Sequence, residues 1–151
     1  MATADPRQDG LFAAAWTLAY AAEAAKAGVN EIALADASGP FGIVGEDGSL
    51  RPLFHVLRGL ARLSGASVRS VSGVPQGIAA FAAEAGGESE LWLANLTPTA
   101  IAVTIEGSWQ AALLDLDAFA AARREPAFLL RLRPAPNPLS LGPYAVARLV
   151  I

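Results

Sequence analysis

Four residues have the types and spacing to do chemistry. Asp36, Ser38 and Gly39 lie within the stretch EIALADASGPFGI, and His55 is the sole histidine of the chain. A carboxylate and a hydroxyl two residues apart on a glycine-rich loop can hydrogen-bond sugar hydroxyls or seat a lactone ring. An imidazole can take or give a proton near neutral pH. Each also has an ordinary structural use. Asp before Ala-Ser-Gly commonly caps a turn with its own side chain. A lone His beside Phe54 and Val56 at the start of a helix commonly packs and bonds a backbone carbonyl. A serine-based triad lacks its nucleophile turn, because no Gly-x-Ser-x-Gly occurs.

The elements around these residues are readable from periodicity. Asp9 and Gly10 precede a helical stretch over 11–27, in which Phe12, Trp16, Ala19, Tyr20 and Glu23 recur at three- and four-residue steps. Gly28 and Asn30 end it. Residues 32–36 form a continuous apolar run between turn signals, the pattern of a strand covered on both faces. A Gly/Pro-rich loop over 37–51 follows, tipped by Glu46-Asp47-Gly48. Pro52 opens a second helix at the position proline tolerates, and Ser64-Gly65 close it. Leu53, Val56, Leu57, Leu60, Ala61 and Leu63 line one side.

From Ala66 the texture changes to short segments with turns every eight to twelve residues, the spacing of an all-β unit. Strands are expected over 68–71, 78–84, 90–96, 101–105, 109–114, 128–132 and 144–151, with a hairpin at Gly86-Gly87 and a short helix within 117–124. The fold class is therefore α+β: helix–strand–helix over 8–65, then a small antiparallel β-sandwich over 66–151. The first piece cannot stand alone, since a single parallel strand leaves both of its edges unpaired.

This order resembles the end of a large sugar-active (β/α)₈ enzyme, whose last helix, strand and helix run into a C-terminal β-sandwich. The likeness is carried by AAWTLAYAAEAAKAGVNEIALAD, GPFGI, RPLFHVLRGLA, ELWLANLT and LGPYAVARLVI, in that order. The chain is similar to the D-apionate lactonase family, whose architecture is like that of the retaining glycoside hydrolases built on such barrels. The resemblance implies an incomplete barrel, because a full one typically needs about 250 residues. In the glycosidase clan the two catalytic carboxylates end the fourth and seventh strands, both of which would precede residue 1. No catalytic residue carries over. Asp36, Ser38, Gly39 and His55 are then candidates for the rim of a substrate site in the complete enzyme, with a sugar or sugar lactone as substrate.

Bulk composition narrows the alternatives. Acidic residues number 14 against 11 basic, a net charge of −3, so a nucleic-acid surface is not expected. With no cysteine and one histidine, disulfides and thiolate or paired-His metal sites are excluded, and neither metal nor cofactor is expected. The longest apolar run, 11–22, is shorter than the roughly 20 residues that span a bilayer. Asp5 and Asp9 stand where a signal peptide would carry basic residues, so a cytoplasmic location is expected. A hydrophobic fraction of 54% implies extra interfaces: the missing barrel half, or a homodimer through the apolar helices. The rival to a hydrolase fragment is accordingly a stand-alone β-sandwich binding or assembly module. Trp92 and Trp109 could stack on sugars but sit in apolar alternation, which favours packing. Asn95-Leu96-Thr97 fits a glycosylation pattern and, equally, a polar turn.

Overall fold

A computed structural model describes residues 6–151; the first five, including the Asp5 just mentioned, lie outside the described residues. Helix α1 (Leu11–Lys26) and helix α2 (Pro52–Arg62) lead into β1 (Ser67–Arg69), β2 (Ile78–Ala85), β3 (Glu88–Asn95), β4 (Ile101–Val103) and β5 (Gln110–Leu114). The short helix α3 (Phe119–Ala122) follows, then β6 (Arg133–Pro134), β7 (Leu139–Leu141) and β8 (Val146–Val150). Helix α1 ends in a Schellman arrangement: Val29 N–H donates to Ala24 C=O and Gly28 N–H to Ala25 C=O, each at 3.0 Å. Pro52 is the first residue of α2, where its missing N–H costs no helical bond.

Six strands form one sheet in the order β1-β2-β3-β8-β5-β6, antiparallel throughout, and β4 with β7 forms a separate two-stranded ribbon. The β2–β3 hairpin turns at Gly86-Gly87, both at positive φ, as a two-residue turn matched to the strand twist requires. Strand alternation divides two cores across the large sheet. Leu93 of β3, Ile78 and Ala80 of β2, and Ala147 and Leu149 of β8 pack with Val103, Leu139 and Leu141. Trp92, Ala94 and Val146 point the other way, onto Leu11, Ala14, Ala15 and Leu18 of α1 and Val56 of α2. The two helices thus share one core with the sandwich.

Two expectations change, and two short strands join the expected set. Residues 32–36 do not form a strand. Among the described residues, 30–35 make no backbone–backbone hydrogen bond, and only Asp36 pairs, in a single bridge with Gly42. The run has the composition of a doubly covered strand, but among the described residues it finds no neighbouring strand on either side, the sandwich edge included. The segment 128–132 is a 3₁₀ turn over Phe128–Leu130 instead of a strand. Its Leu129 plugs the helix-side core, and Arg133–Pro134 pairs with β5 in its stead. Strands β6 and β7 fall in the proline-rich stretch RPAPNPLSL, where alternation is hard to see.

Candidate functional site

The loop after residue 35 closes on itself. Asp36 N–H donates to Phe41 C=O at 3.3 Å, and Ile43 N–H donates to Asp36 C=O at 2.9 Å. Inside this ring Gly42 N–H donates to Gly39 C=O at 3.1 Å. Only glycine fits at 42, because a Cβ there would overlap the backbone of Ser38. The turn leaves Asp36 and Ser38 exposed, and among the described residues neither the carboxylate nor the hydroxyl has a hydrogen-bond partner.

Arg51 holds the loop from beneath. Although charged, it is 7% exposed, a placement that is costly without partners. Its Nε donates to Asp9 Oδ1 at 2.6 Å, and its Nη1 donates to the carbonyls of Gly42 at 2.7 Å, Gly39 at 2.9 Å and Pro40 at 3.4 Å. Its own N–H donates to Ile43 C=O at 3.0 Å. Sequence reading missed this residue. One signal was available: a cation at the N-cap of a helix opposes the helix dipole and needs another reason to be there.

The loop tip meets the sandwich. Asp47 Oδ1 accepts from Ser49 Oγ at 2.6 Å and from Ser49 N–H at 3.0 Å, and these bonds hold its carboxyl below the usual range. Arg123 donates to both Asp47 and Ser49, while Leu50 N–H donates to the Arg123 carbonyl at 2.9 Å. Arg58 of α2 donates to the Pro126 carbonyl in the same connection.

His55 lies apart from Asp36 and Ser38 in character. It is 2% exposed, packed edge-on against Phe54 and Phe128, with Nε2 at 2.9 Å from the Ala122 carbonyl. Burial pushes its pKa down, against the raising effect of that hydrogen bond. Its neighbours are the α2–α3 packing surface, so the structure groups Asp36, Ser38 and Gly39 on one loop and sets His55 in the core.

Trp92 is fully buried on the helix side, and its Nε1 donates to Glu90 Oε2 at 3.1 Å. Glu90 also pairs with Arg148, whose Nε donates at 3.0 Å and whose Nη1 reaches the Leu129 carbonyl at 3.2 Å. Burial pushes the Glu90 carboxyl up, but the Arg148 hydrogen bonds and charge outweigh it and hold the carboxyl below its ordinary range. Trp109 is half-buried and donates to the Glu106 carbonyl at 2.7 Å. Asn95 is wholly buried, donating to Thr99, Leu141 and Gly142 carbonyls and accepting from Thr97, so it organises a turn. Among the described residues no three His, Cys, Asp or Glu side chains gather as metal ligands, and no helix is long and apolar enough to cross a membrane.

Helices packed on one face of an antiparallel sandwich, with a glycine loop joining them, define the closing part of a barrel-plus-sandwich enzyme architecture. A GH30 endoxylanase from Clostridium papyrosolvens shares this fold, with a TM-score of 0.60 over 98% of this chain and 39% of that one at 11% identity. A glycoside hydrolase family 30 subfamily 8 xylanase from Clostridium acetobutylicum gives 0.50 over 74% of this chain and 31% of that one at 9% identity. Residues 1–65 match the profile described as D-apionate lactonase, TIM barrel domain, and residues 75–149 match D-apionate lactonase, C-terminal immunoglobulin-like domain. The chain belongs to the D-apionate lactonase family and corresponds to its C-terminal portion. It is 35% identical over 127 residues to the D-apionate lactonase of Brucella anthropi, a match covering 80% of this chain and 20% of that protein.

Proposed function

We propose that this chain is the non-catalytic C-terminal segment of a carbohydrate-active hydrolase, a sugar lactonase by the name of its curated relative. The sandwich buttresses the barrel, and the 36–42 loop forms part of the substrate rim. The observation that carries this reading is the shared core: Leu18 of α1 and Val56 of α2 are buried in one cluster with Trp92, so the barrel end and the sandwich share one apolar core. Barrel enzymes place their sites at the C-terminal ends of the strands. Asp36 and Ser38 offer such a rim one carboxylate and one hydroxyl free to meet substrate hydroxyls. A sugar-lactone substrate, the missing barrel half as partner and a cytoplasmic location belong to this reading. The test is hydrolysis of an aldonolactone and an aryl glycoside by the purified chain. No turnover above the uncatalysed rate is expected, and turnover abolished by a substitution in this chain would contradict the non-catalytic role.

A second reading rests on the outer side of α1, where Trp16 is 50% and Tyr20 61% exposed. In it the chain is an assembly module whose two copies cover these rings. Sedimentation decides: a concentration-dependent dimer that Trp16→Ser disrupts supports it, and a monomer at all concentrations removes it.

A further inference from the structure

We propose that Arg51 is the positioning residue of the substrate rim, fixing Asp36 and Ser38 by holding the loop beneath them; this rests on the rim reading above. Asp9 precedes α1 and Arg51 precedes α2, so their 2.6 Å ion pair joins the N-terminal ends of both helices. In a (β/α) unit those ends lie on the side where the strands finish and substrates bind. One guanidinium therefore ties two neighbouring active-face connections to each other and to the glycine turn.

The geometry is suited to setting an orientation. Three loop carbonyls, at 39, 40 and 42, converge on Nη1, and the backbone of residue 51 takes the carbonyl of Ile43. These contacts are to the backbone at 39–43 and leave the side chains at 36 and 38 exposed. Arg123 anchors the far part of this connection, at Asp47, Ser49 and Leu50; among the described residues Arg51 is the side chain that holds its near part, at 39–42. Only a planar fork with five donors can serve Asp9 and the carbonyls together, so lysine is not an equivalent. Substrate-facing groups held by such a strut meet the ligand without an ordering cost, and loosening the strut weakens binding first.

Two measurements on Arg51→Lys test this. In the 151-residue chain, the amides of Gly42 and Ile43 are expected to exchange about tenfold faster or more, as the loss of a charged hydrogen bond dictates. In the chain joined to the preceding barrel strands of a family member, KM for an aldonolactone is expected to rise about tenfold with kcat changed much less. Should Arg51→Lys fail to fold, Asp9→Asn is read instead, since Asp9 is largely exposed and its loss weakens the same strut. Unchanged exchange overturns the proposal whatever the loop's function. Faster exchange with unchanged KM overturns the rim reading and with it the positioning role.

Discussion

The six-membered ring of the Trp92 indole lies against the bare Cα of Gly59, so closely that any Cβ at 59 would fall inside it. This contact joins α2 to the centre of the sandwich sheet and explains a glycine in mid-helix, where alanine would ordinarily be preferred by about 1 kcal/mol. Gly59→Ala gains that propensity but overpacks a core in which Trp92 has no exposed surface. Overpacking costs about 1–3 kcal/mol and outweighs the gain. The variant is expected to unfold at lower denaturant, with an unchanged slope, in urea titrations.

The pair Glu90–Arg148 is buried, with side chains 11% and 7% exposed. Removing one member leaves the other charged and desolvated. Glu90→Gln is therefore expected to destabilise by about 3 kcal/mol, while Glu90→Leu combined with Arg148→Met recovers most of the loss. Thermal melts of the three proteins check both statements. A single variant as stable as its parent would mean that water reaches the pair.

His55 is held neutral by burial, with its pKa below that of the unfolded chain. Acidification through the unfolded value protonates the unfolded state first, so stability is full above about pH 6.5 and falls as the pH drops toward the folded value. His55→Gln keeps an N–H for the Ala122 carbonyl and does not titrate. Its stability is expected to lack this loss between about pH 7 and about pH 5, measured by denaturant midpoints across that range.

Much of this architecture is legible from local pattern. The helices at 11–27 and 52–63 announce themselves through period and stop residues, and the Gly86-Gly87 hairpin through two apolar runs around a required turn. What escaped depends on partners that a sequence does not name. Arg51 binds carbonyls, which every residue has, and Glu90 finds Arg148 only through the β3–β8 register. The run at 32–36 has the composition of a strand without forming one, because a doubly covered strand is a property of its neighbours. His55 has the chemistry of a proton carrier, yet it packs between Phe54 and Phe128 and its ring bonds the Ala122 carbonyl. Ser38 lies on the exposed loop that pattern assigns it, while Asp36, expected to end a strand, begins that loop, which Arg51 holds.

On the reading proposed above, residues 32–36 are a barrel strand awaiting its neighbours, and 32–35 are the residues left without backbone bonds among the described residues. Amide hydrogen exchange over those residues tests it most directly, in the chain alone and in the chain joined to the preceding barrel strands of a family member. In the chain alone they are expected to exchange at nearly the rate of an open peptide, and in the joined protein at least about a hundredfold slower. Protection already present in the isolated chain, or none gained on joining, would contradict it.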